Sequence, residues 1–236
     1  APSFGTENRR SLRRCRCAQP PLSFQTGIPL TFATEPTTMQ NLNFPLHFSF
    51  KVLTPSNDFS VFDADNREVA YTRQKIFKIK EAIQVYQNSS RQNLLYTINA
   101  DRIIDFNASY TFRDTANNIL GATKRAGMKS LWKTQYRTSD AAGQTVFTLH
   151  EENPMIALFN GLLESIPVIS ILSGYLLNPS YAIDDTQGRT VFRLRKLPSF
   201  FERKFSLEKV GEATPEQEQL ALLSVMLLML MDGRDG

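Results

Sequence analysis

The feature that most constrains this chain is an apolar segment close to its C-terminus. From Leu220 to Met231, eleven of the twelve residues are apolar, and the one exception is Ser224. A segment of this kind is typical either of a membrane anchor or of the centre of a folded domain. The choice between these two alternatives decides most of what the rest of the chain can be.

The residues around this segment predict its secondary structure. Thr214 has the position of an N-cap, Pro215 that of a first helical residue, and Gln217 completes a capping box. Gly233 is a suitable terminator. We therefore expect a helix over about 215–231.

The length and the distribution of its apolar residues favour a core helix over an anchor. Its apolar core of twelve residues falls short of the roughly 20 that span a bilayer. The helix is also apolar on every face, so it cannot lie on a surface with one side in water. It needs walls all round, and the side chains that we expect in the core are Leu220, Leu223, Leu227 and Leu230.

A repeat in the body of the chain supplies such walls. At four places an aromatic residue is followed after four residues by Asp, then by Asn or Gly, and then by Val or Leu. The sets are Phe59/Asp63/Asn66/Val69, Tyr110/Asp114/Asn117/Leu120, Tyr136/Asp140/Gly143/Val146 and Tyr181/Asp185/Gly188/Val191. This spacing predicts β-hairpins in which Asp caps the turn and Asn or Gly takes the positive φ. Calcium binding is the alternative, but no turn has the run of oxygen ligands that calcium needs, so we expect no metal.

Alternating apolar residues predict further strands between the hairpins. The clearest run is Phe44, Leu46, Phe48, Phe50 and Val52. Roughly a dozen short strands separated by turn signals are typical of an antiparallel barrel or sandwich. A closed barrel of about 12 strands has a bore between the packed interior of eight strands and the channel of sixteen. It would accommodate a helix about 10 Å across. We therefore predict a mainly β fold, a closed antiparallel barrel around the C-terminal helix.

Two regions stand outside this pattern. Residues 153–181 are long and apolar but carry Glu164 and Pro167 in their middle, which argues against a membrane span. We interpret them as an insert, partly helical over 154–164, that either packs on the barrel or faces a lipid or partner. Residues 1–38 have no sustained period and are interpreted as a disordered or non-native extension, with a transit-like peptide as the alternative. Residues 39–236 would then form one barrel domain.

Charge and cysteine usage exclude some function classes. The net charge is +4, and residues 1–38 contribute +3 of it through five arginines and two acids. The body is thus almost neutral, and nucleic acid is not an expected partner. Cys15 and Cys17 are too close for an ordinary disulfide and, without other ligands, make a weak metal site.

The hairpin segments together with the end helix resemble a known family. "YTFRDTANNILGATKRAGMKSLWKTQYRTSDAAG" and "YAIDDTQGRTVFRLRK" are similar to the LURP-one-related and phospholipid-scramblase-like branch of the Tubby C-terminal-like superfamily. The resemblance extends over about 39–236. It implies a non-enzymatic module, with phosphoinositide binding in tubby proteins and lipid-linked roles proposed for scramblases.

Two basic clusters fit a lipid role. The first contains Lys124, Arg125, Lys129, Lys133 and Arg137, beside Trp132 as an interfacial residue. The second contains Arg193, Arg195, Lys196, Arg203 and Lys204. The alternative interpretation of both is an ordinary solvated strand face with a core tryptophan.

We expect a non-enzymatic, cofactor-free cytoplasmic module that binds anionic phospholipid or phosphoinositide headgroups at the membrane face. The alternatives are a structural or protein-interaction domain, and a scramblase-like activity. Scramblases carry palmitoylated cysteines, and the body of this chain has none. An enzyme would have only His47 and His150 to use, with Glu151 and Glu152 beside His150 as an acid–base set.

Overall fold

The structure is a computed structural model. The structure describes residues 41–50, 56–75, 82–101, 108–126, 135–152, 180–197 and 203–232. Several predictions fall outside these residues: the leader 1–38, Val52, residues 153–179 of the predicted insert, and the side chains of Lys129, Trp132 and Lys133. The last two residues of that insert, Ser180 and Tyr181, begin a strand.

The described residues form twelve strands and one helix, and the strands close into an antiparallel barrel. Each strand pairs with its neighbours in sequence, and β1 pairs with β12. The predicted fold is therefore confirmed. The strands are β1 (Leu46–Phe50), β2 (Ser56–Phe62), β3 (Glu68–Lys75), β4 (Ile83–Tyr86), β5 (Leu94–Ala100), β6 (Ser109–Asp114), β7 (Ile119–Ala126), β8 (Gln135–Asp140), β9 (Thr145–Glu151), β10 (Ser180–Asp184), β11 (Thr190–Leu197) and β12 (Lys204–Lys209), and the helix is α1 (Pro215–Asp232).

Alternation along the strands decides which side chains enter the barrel. In β1 the side chains of Leu46, Phe48 and Phe50 are buried, whereas His47 between them is exposed on the outer face. Successive side chains of a strand point to opposite faces, so the period-two pattern of the sequence becomes an apolar interior and a polar exterior. The same rule assigns a face to each charged residue of the other strands.

Four hairpin turns repeat one hydrogen-bond arrangement. In each turn an Asp side-chain oxygen accepts the backbone N–H of the residue four positions later, at 2.8–2.9 Å. The third residue after the Asp has a positive φ, between 59° and 79°. Asn and Gly tolerate this conformation better than other residues, which explains why the sequence places them there. The four turns are those of Asp63, Asp114, Asp140 and Asp185.

A fifth turn, between β4 and β5, lacks this sequence signature. Asn88 takes the position of the Asp, its side-chain oxygen accepting the N–H of Ser90 at 3.1 Å. The residue with positive φ is Arg91, at 58°. The segment is also longer, because the N–H of Gln87 reaches the carbonyl of Asn93. Neither Asp nor Gly marks this hairpin, so the repeat did not reveal it.

Helix α1 begins with the predicted capping box and then fills the barrel. The N–H of Gln217 donates to the Thr214 hydroxyl at 3.3 Å, and the N–H of Thr214 donates to the Gln217 side chain at 3.0 Å. Lys209 at the end of β12 fixes the first turn through Glu218, at 2.6 Å. Every residue from Leu220 to Leu230 is buried, including the four leucines predicted for the core.

Within the part of the chain that the structure describes, no helix combines the length and hydropathy needed to cross a membrane.

Candidate functional site

The first basic cluster contains two cations that lie directly opposite each other. Lys124 on β7 and Arg137 on β8 are cross-strand partners, and both side chains are exposed on the outer face. Cross-strand partners have Cβ atoms about 4.5–5.5 Å apart. Neither cation has an ion-pair partner among the described carboxylates. The arrangement places two positive charges side by side, and the carboxylate of Asp101 lies at the neighbouring Ser109, whose N–H it accepts at 2.8 Å.

One hydroxyl-bearing residue flanks this pair on each side. Ser109 on β6 is the partner of Lys124, and Thr148 on β9 is the partner of Arg137. Both lie on the outer face and are half-buried. We call these four residues the outer row. Because neighbouring strands are about 4.8 Å apart, the outer row presents hydroxyl, ammonium, guanidinium and hydroxyl groups within about 15 Å.

Arg125, the other described member of the first cluster, does not join this row. Arg125 follows Lys124 along β7 and therefore belongs to the inward-facing set, opposite the buried Tyr136. The sequence grouped Arg125 with Lys124 because they are adjacent, whereas adjacency in a strand separates two side chains onto opposite faces. Lys129, Trp132 and Lys133 lie within 127–134, outside the described residues.

Two arginines of the second cluster, Arg193 and Arg195, are already paired with acids. The Arg193 Nε lies 2.9 Å from Glu152 Oε1, and the Ser180 hydroxyl donates to the other oxygen of Glu152 at 2.6 Å. Burial acts to raise the pKa of Glu152, but these two donors and the positive charge of Arg195 outweigh it, so the pKa lies below its ordinary value. Arg195 lies 3.7 Å from Glu208.

The other three residues of the second cluster point in different directions. Lys196 faces inward, opposite Phe205, and is half-buried. Arg203 stands over the ring of Phe50 at 5.2 Å from its centroid, a cation–π contact. Lys204 is exposed on the outer face. The structure therefore does not bring the five residues of this cluster onto one surface.

The two histidines were the candidates for acid–base chemistry. His150 Nδ1 lies 3.6 Å from Asp184 Oδ2, and Asp184 also accepts the Thr190 hydroxyl at 2.8 Å. The set of His150 with Glu151 and Glu152, which an enzyme would have used, is not what the geometry assembles, since Glu152 is paired with Arg193. Across the described ranges, no three or more His, Cys, Asp or Glu side chains are grouped to hold a metal ion.

Sequence reasoning missed Ser109 and Thr148 in the outer row. Their hydroxyl groups carry no charge, and they lie 15 residues before Lys124 and 11 residues after Arg137 in the chain. Only the strand register places them beside the two cations. A prediction of the register from the repeat would have found them, because β6–β7 and β8–β9 are the second and third repeated hairpins.

Comparison with known proteins gives one match. The family model described as LURP-one-related matches residues 68–165, from β3 past the end of β9. This family belongs to the Tubby C-terminal-like superfamily, and the match supports the family that the hairpin segments resemble. Searches of curated proteins and of solved structures each found no match.

Proposed function

We propose that this LURP-one-related barrel is a non-enzymatic binding module that holds anionic phospholipid headgroups on the outer face of β7 and β8. The proposal places the protein at the cytoplasmic face of a membrane, with an anionic phospholipid or phosphoinositide as its partner. Helix α1 fills the barrel and takes no part in contact with lipid.

The observation that carries the proposal is the couple of Lys124 and Arg137, for which the described residues provide no ion-pair partner. Like charges placed directly opposite each other destabilise a sheet, by up to about 1 kcal/mol. A phosphate group that contacts both removes this repulsion and forms charge-assisted hydrogen bonds with both side chains. The hydroxyls of Ser109 and Thr148 lie at the two ends of the outer row and offer further donors to other oxygens of a headgroup.

The second cluster supports the proposal less well because its arginines have partners. A headgroup at Arg193 would displace Glu152 or lie beside its negative charge. The same holds for Arg195 and Glu208. Two clusters of similar composition in the sequence therefore differ in the charge that they leave available.

This difference sets up a matched experiment. We expect Lys124→Gln/Arg137→Gln to weaken binding to vesicles of phosphatidylcholine with a small fraction of phosphoinositide, measured by co-sedimentation. Each cation near an anionic surface contributes about 1 kcal/mol, so the loss should be roughly 30-fold at low salt. The control is Arg193→Gln/Arg195→Gln, which removes the same charge from acid-paired positions and should change binding only slightly.

The outcomes separate the proposal from its alternatives. Equal losses in both double variants would show attraction to net charge without a site. Absence of binding by the wild-type protein to any anionic vesicle would contradict a lipid role and favour a structural or protein-interaction domain. Binding should also fall with rising salt, because the site is exposed.

A further inference from the structure

We propose that Ser224, Thr123 and Thr138 are positioning residues that hold β7 and β8 in the geometry required by Lys124 and Arg137. This inference rests on the proposed function for its ligand, and it adds a role for the interior of the barrel. The three residues come from the helix and from the two strands that carry the outer pair.

The three hydroxyl groups form a closed triangle inside the barrel. Thr123 Oγ1 and Thr138 Oγ1 lie 2.9 Å apart, and they lie 3.0 and 2.8 Å from Ser224 Oγ. The residues are 1%, 1% and 4% exposed. Ser224 is the single polar residue between Leu220 and Met231, so it is the point at which the inner helix makes a directional contact with the wall.

The number of available hydroxyl protons limits how many hydrogen bonds the triangle can contain. The Ser224 hydroxyl also donates to the carbonyl of Leu220 at 2.7 Å, which uses its proton. The two threonine protons then remain for the three sides of the triangle, so at most two sides are hydrogen bonds at any moment. A shift of the helix by one residue moves Ser224 by 1.5 Å and 100° and breaks both of its contacts with the threonines, whereas the Thr123–Thr138 contact and the bond from Ser224 to Leu220 remain. The loss of the buried hydrogen bonding between helix and wall is unfavourable, so the triangle favours one helix register.

The triangle lies directly behind the outer pair. Thr123 precedes Lys124 on β7, and Thr138 follows Arg137 on β8. The pairs Thr123–Thr138 and Lys124–Arg137 are therefore neighbouring rungs of one ladder, with side chains on opposite faces. The two cations repel each other across the strands, whereas the two threonines bind each other and the helix.

A glycine on the same strand brings the helix close. A Cβ added to Gly121 would lie 2.7 Å from Leu220 Cδ2 and would also overlap the carbonyl oxygen of Ser139. The absence of a side chain lets the helix approach β7 closely enough for Ser224 to reach both threonines. Small and hydroxyl-bearing residues thus form a seat for the helix at the strands of the site. We call Gly121, Thr123 and Thr138 the helix seat.

The decisive variant replaces the triangle with apolar groups of similar shape: Thr123→Val/Thr138→Val/Ser224→Ala. Removing all partners together leaves no buried polar group unsatisfied, so we expect stability close to that of the wild type. Without a directional contact, the strands lose their fixed support. Binding to the phosphoinositide vesicles should then weaken roughly two- to thirty-fold, and amide exchange in β7 and β8 should become faster.

Two controls separate positioning from general stability. Met226→Ala removes a buried side chain about 200° around the helix from Ser224, and we expect lower stability but unchanged binding by the folded protein. Thr123→Ser/Thr138→Ser keeps the hydroxyl groups and should bind vesicles as the wild type does.

Each result decides the inference. Wild-type binding by the all-apolar triple variant, with unchanged exchange in β7 and β8, overturns it. The inference is also overturned if vesicle binding falls in step with the stability of the protein in every variant, including Met226→Ala. If the wild type binds no vesicle, the proposed function fails. Faster exchange confined to β7 and β8 in the triple variant then supports the strand-holding role alone, and unchanged exchange removes that too.

Discussion

Two walls of the barrel contact the same helix in different ways. On the side of β12, β1 and β2 the interior is filled by phenylalanine rings: Phe50 and Phe59 have centroids 4.8 Å apart, and Phe205 lies 5.9 Å from Phe50. On the side of β7 and β8 the helix meets the helix seat. Aromatic rings fill volume without fixing the rotation of an apolar helix, whereas hydroxyl groups bond at defined positions. One wall of the barrel therefore fills the space around the helix, and the other wall fixes the position of the helix.

The side of β12, β1 and β2, which we call the aromatic wall, and the side of β7 and β8 also differ in what they support on the outer surface. Behind the aromatic wall, stability depends on area and shape. Behind the outer row, the alignment of the helix with the strands depends on a small number of directional contacts, and the site that we propose lies on these strands. Perturbing each wall should therefore give a different signature.

Removing the helix affects both walls and should have the largest effect. Burial of one leucine is worth about 1.5–3 kcal/mol, and a typical domain is stable by only about 5–15 kcal/mol. Deletion of residues 215–236 should thus give an insoluble or molten product. Leu223→Asp should come close to the same result, because it places a charge at a fully buried position.

The measurements are soluble yield and urea unfolding, with Glu216→Ala as a control at an exposed position of the first turn. A truncated protein that remained soluble and unfolded cooperatively would contradict the assignment of the helix as the core.

Phe59→Ala tests the aromatic wall. The ring is fully buried and contacts both Phe48 and Phe50, so we expect a loss of about 3–5 kcal/mol in the free energy of unfolding. Phe59→Leu keeps most of the volume and should lose less. Vesicle binding by the folded fraction should stay unchanged in both variants. A selective loss of binding would mean that the aromatic wall also positions the site.

Gly121→Ala tests the helix seat. The new methyl group overlaps Leu220 and the Ser139 carbonyl, and we expect a loss of about 1–3 kcal/mol or more. Leu220→Ala should relieve one of the two overlaps, so the double variant should be less destabilised than the sum of the single variants. Strict additivity in urea unfolding would show that the helix does not lie against Gly121.

Low pH should destabilise the turn of Asp63, which joins β2 of the aromatic wall to β3. Burial acts to raise the pKa of Asp63, but the N–H and guanidinium of Arg67 and the N–H of Asp65 outweigh it, so the folded pKa lies below the ordinary 3.8. The resulting stabilisation is present above that ordinary value and is lost as the pH falls through the folded pKa. Asp63→Asn should therefore reduce the difference in urea midpoint between pH 7 and about pH 3.

Arg67→Gln provides the companion measurement. It removes the ion pair of 2.7 Å with Asp63 but leaves the backbone donors in place. We expect a partial reduction of the same pH effect. A pH dependence identical to the wild type in both variants would show that Asp63 does not contribute to it.

The sequence predicted the features that depend on local pattern. Apolar alternation, the Asp turns and the all-apolar helix each reflect a rule that acts within a few residues, and together they led to the barrel. The turn at Asn88 was missed because a different residue, Arg91, takes the positive φ there. Its conformation is set by the strands that it joins and not by its own preference.

The site depends on contacts between distant residues, and these were only partly predictable. Lys124 and Arg137 were named, but the pairing of Arg193 with Glu152 joins residues 41 positions apart. Ser224 stood out as the polar exception in the helix, yet its partners are 101 and 86 residues away. The sequence groups charged residues that are close along the chain, whereas strand alternation places them on opposite faces and ion pairs neutralise some of them.

The most direct measurement of the central claim is the titration of ¹⁵N-labelled protein with a soluble inositol trisphosphate, followed by amide chemical shifts. We expect the largest changes at Lys124 and Arg137, smaller ones at Ser109 and Thr148, and none in the Lys124→Gln/Arg137→Gln variant. Largest changes at Arg193 and Arg195, or no saturable change anywhere, would contradict a headgroup site on β7 and β8.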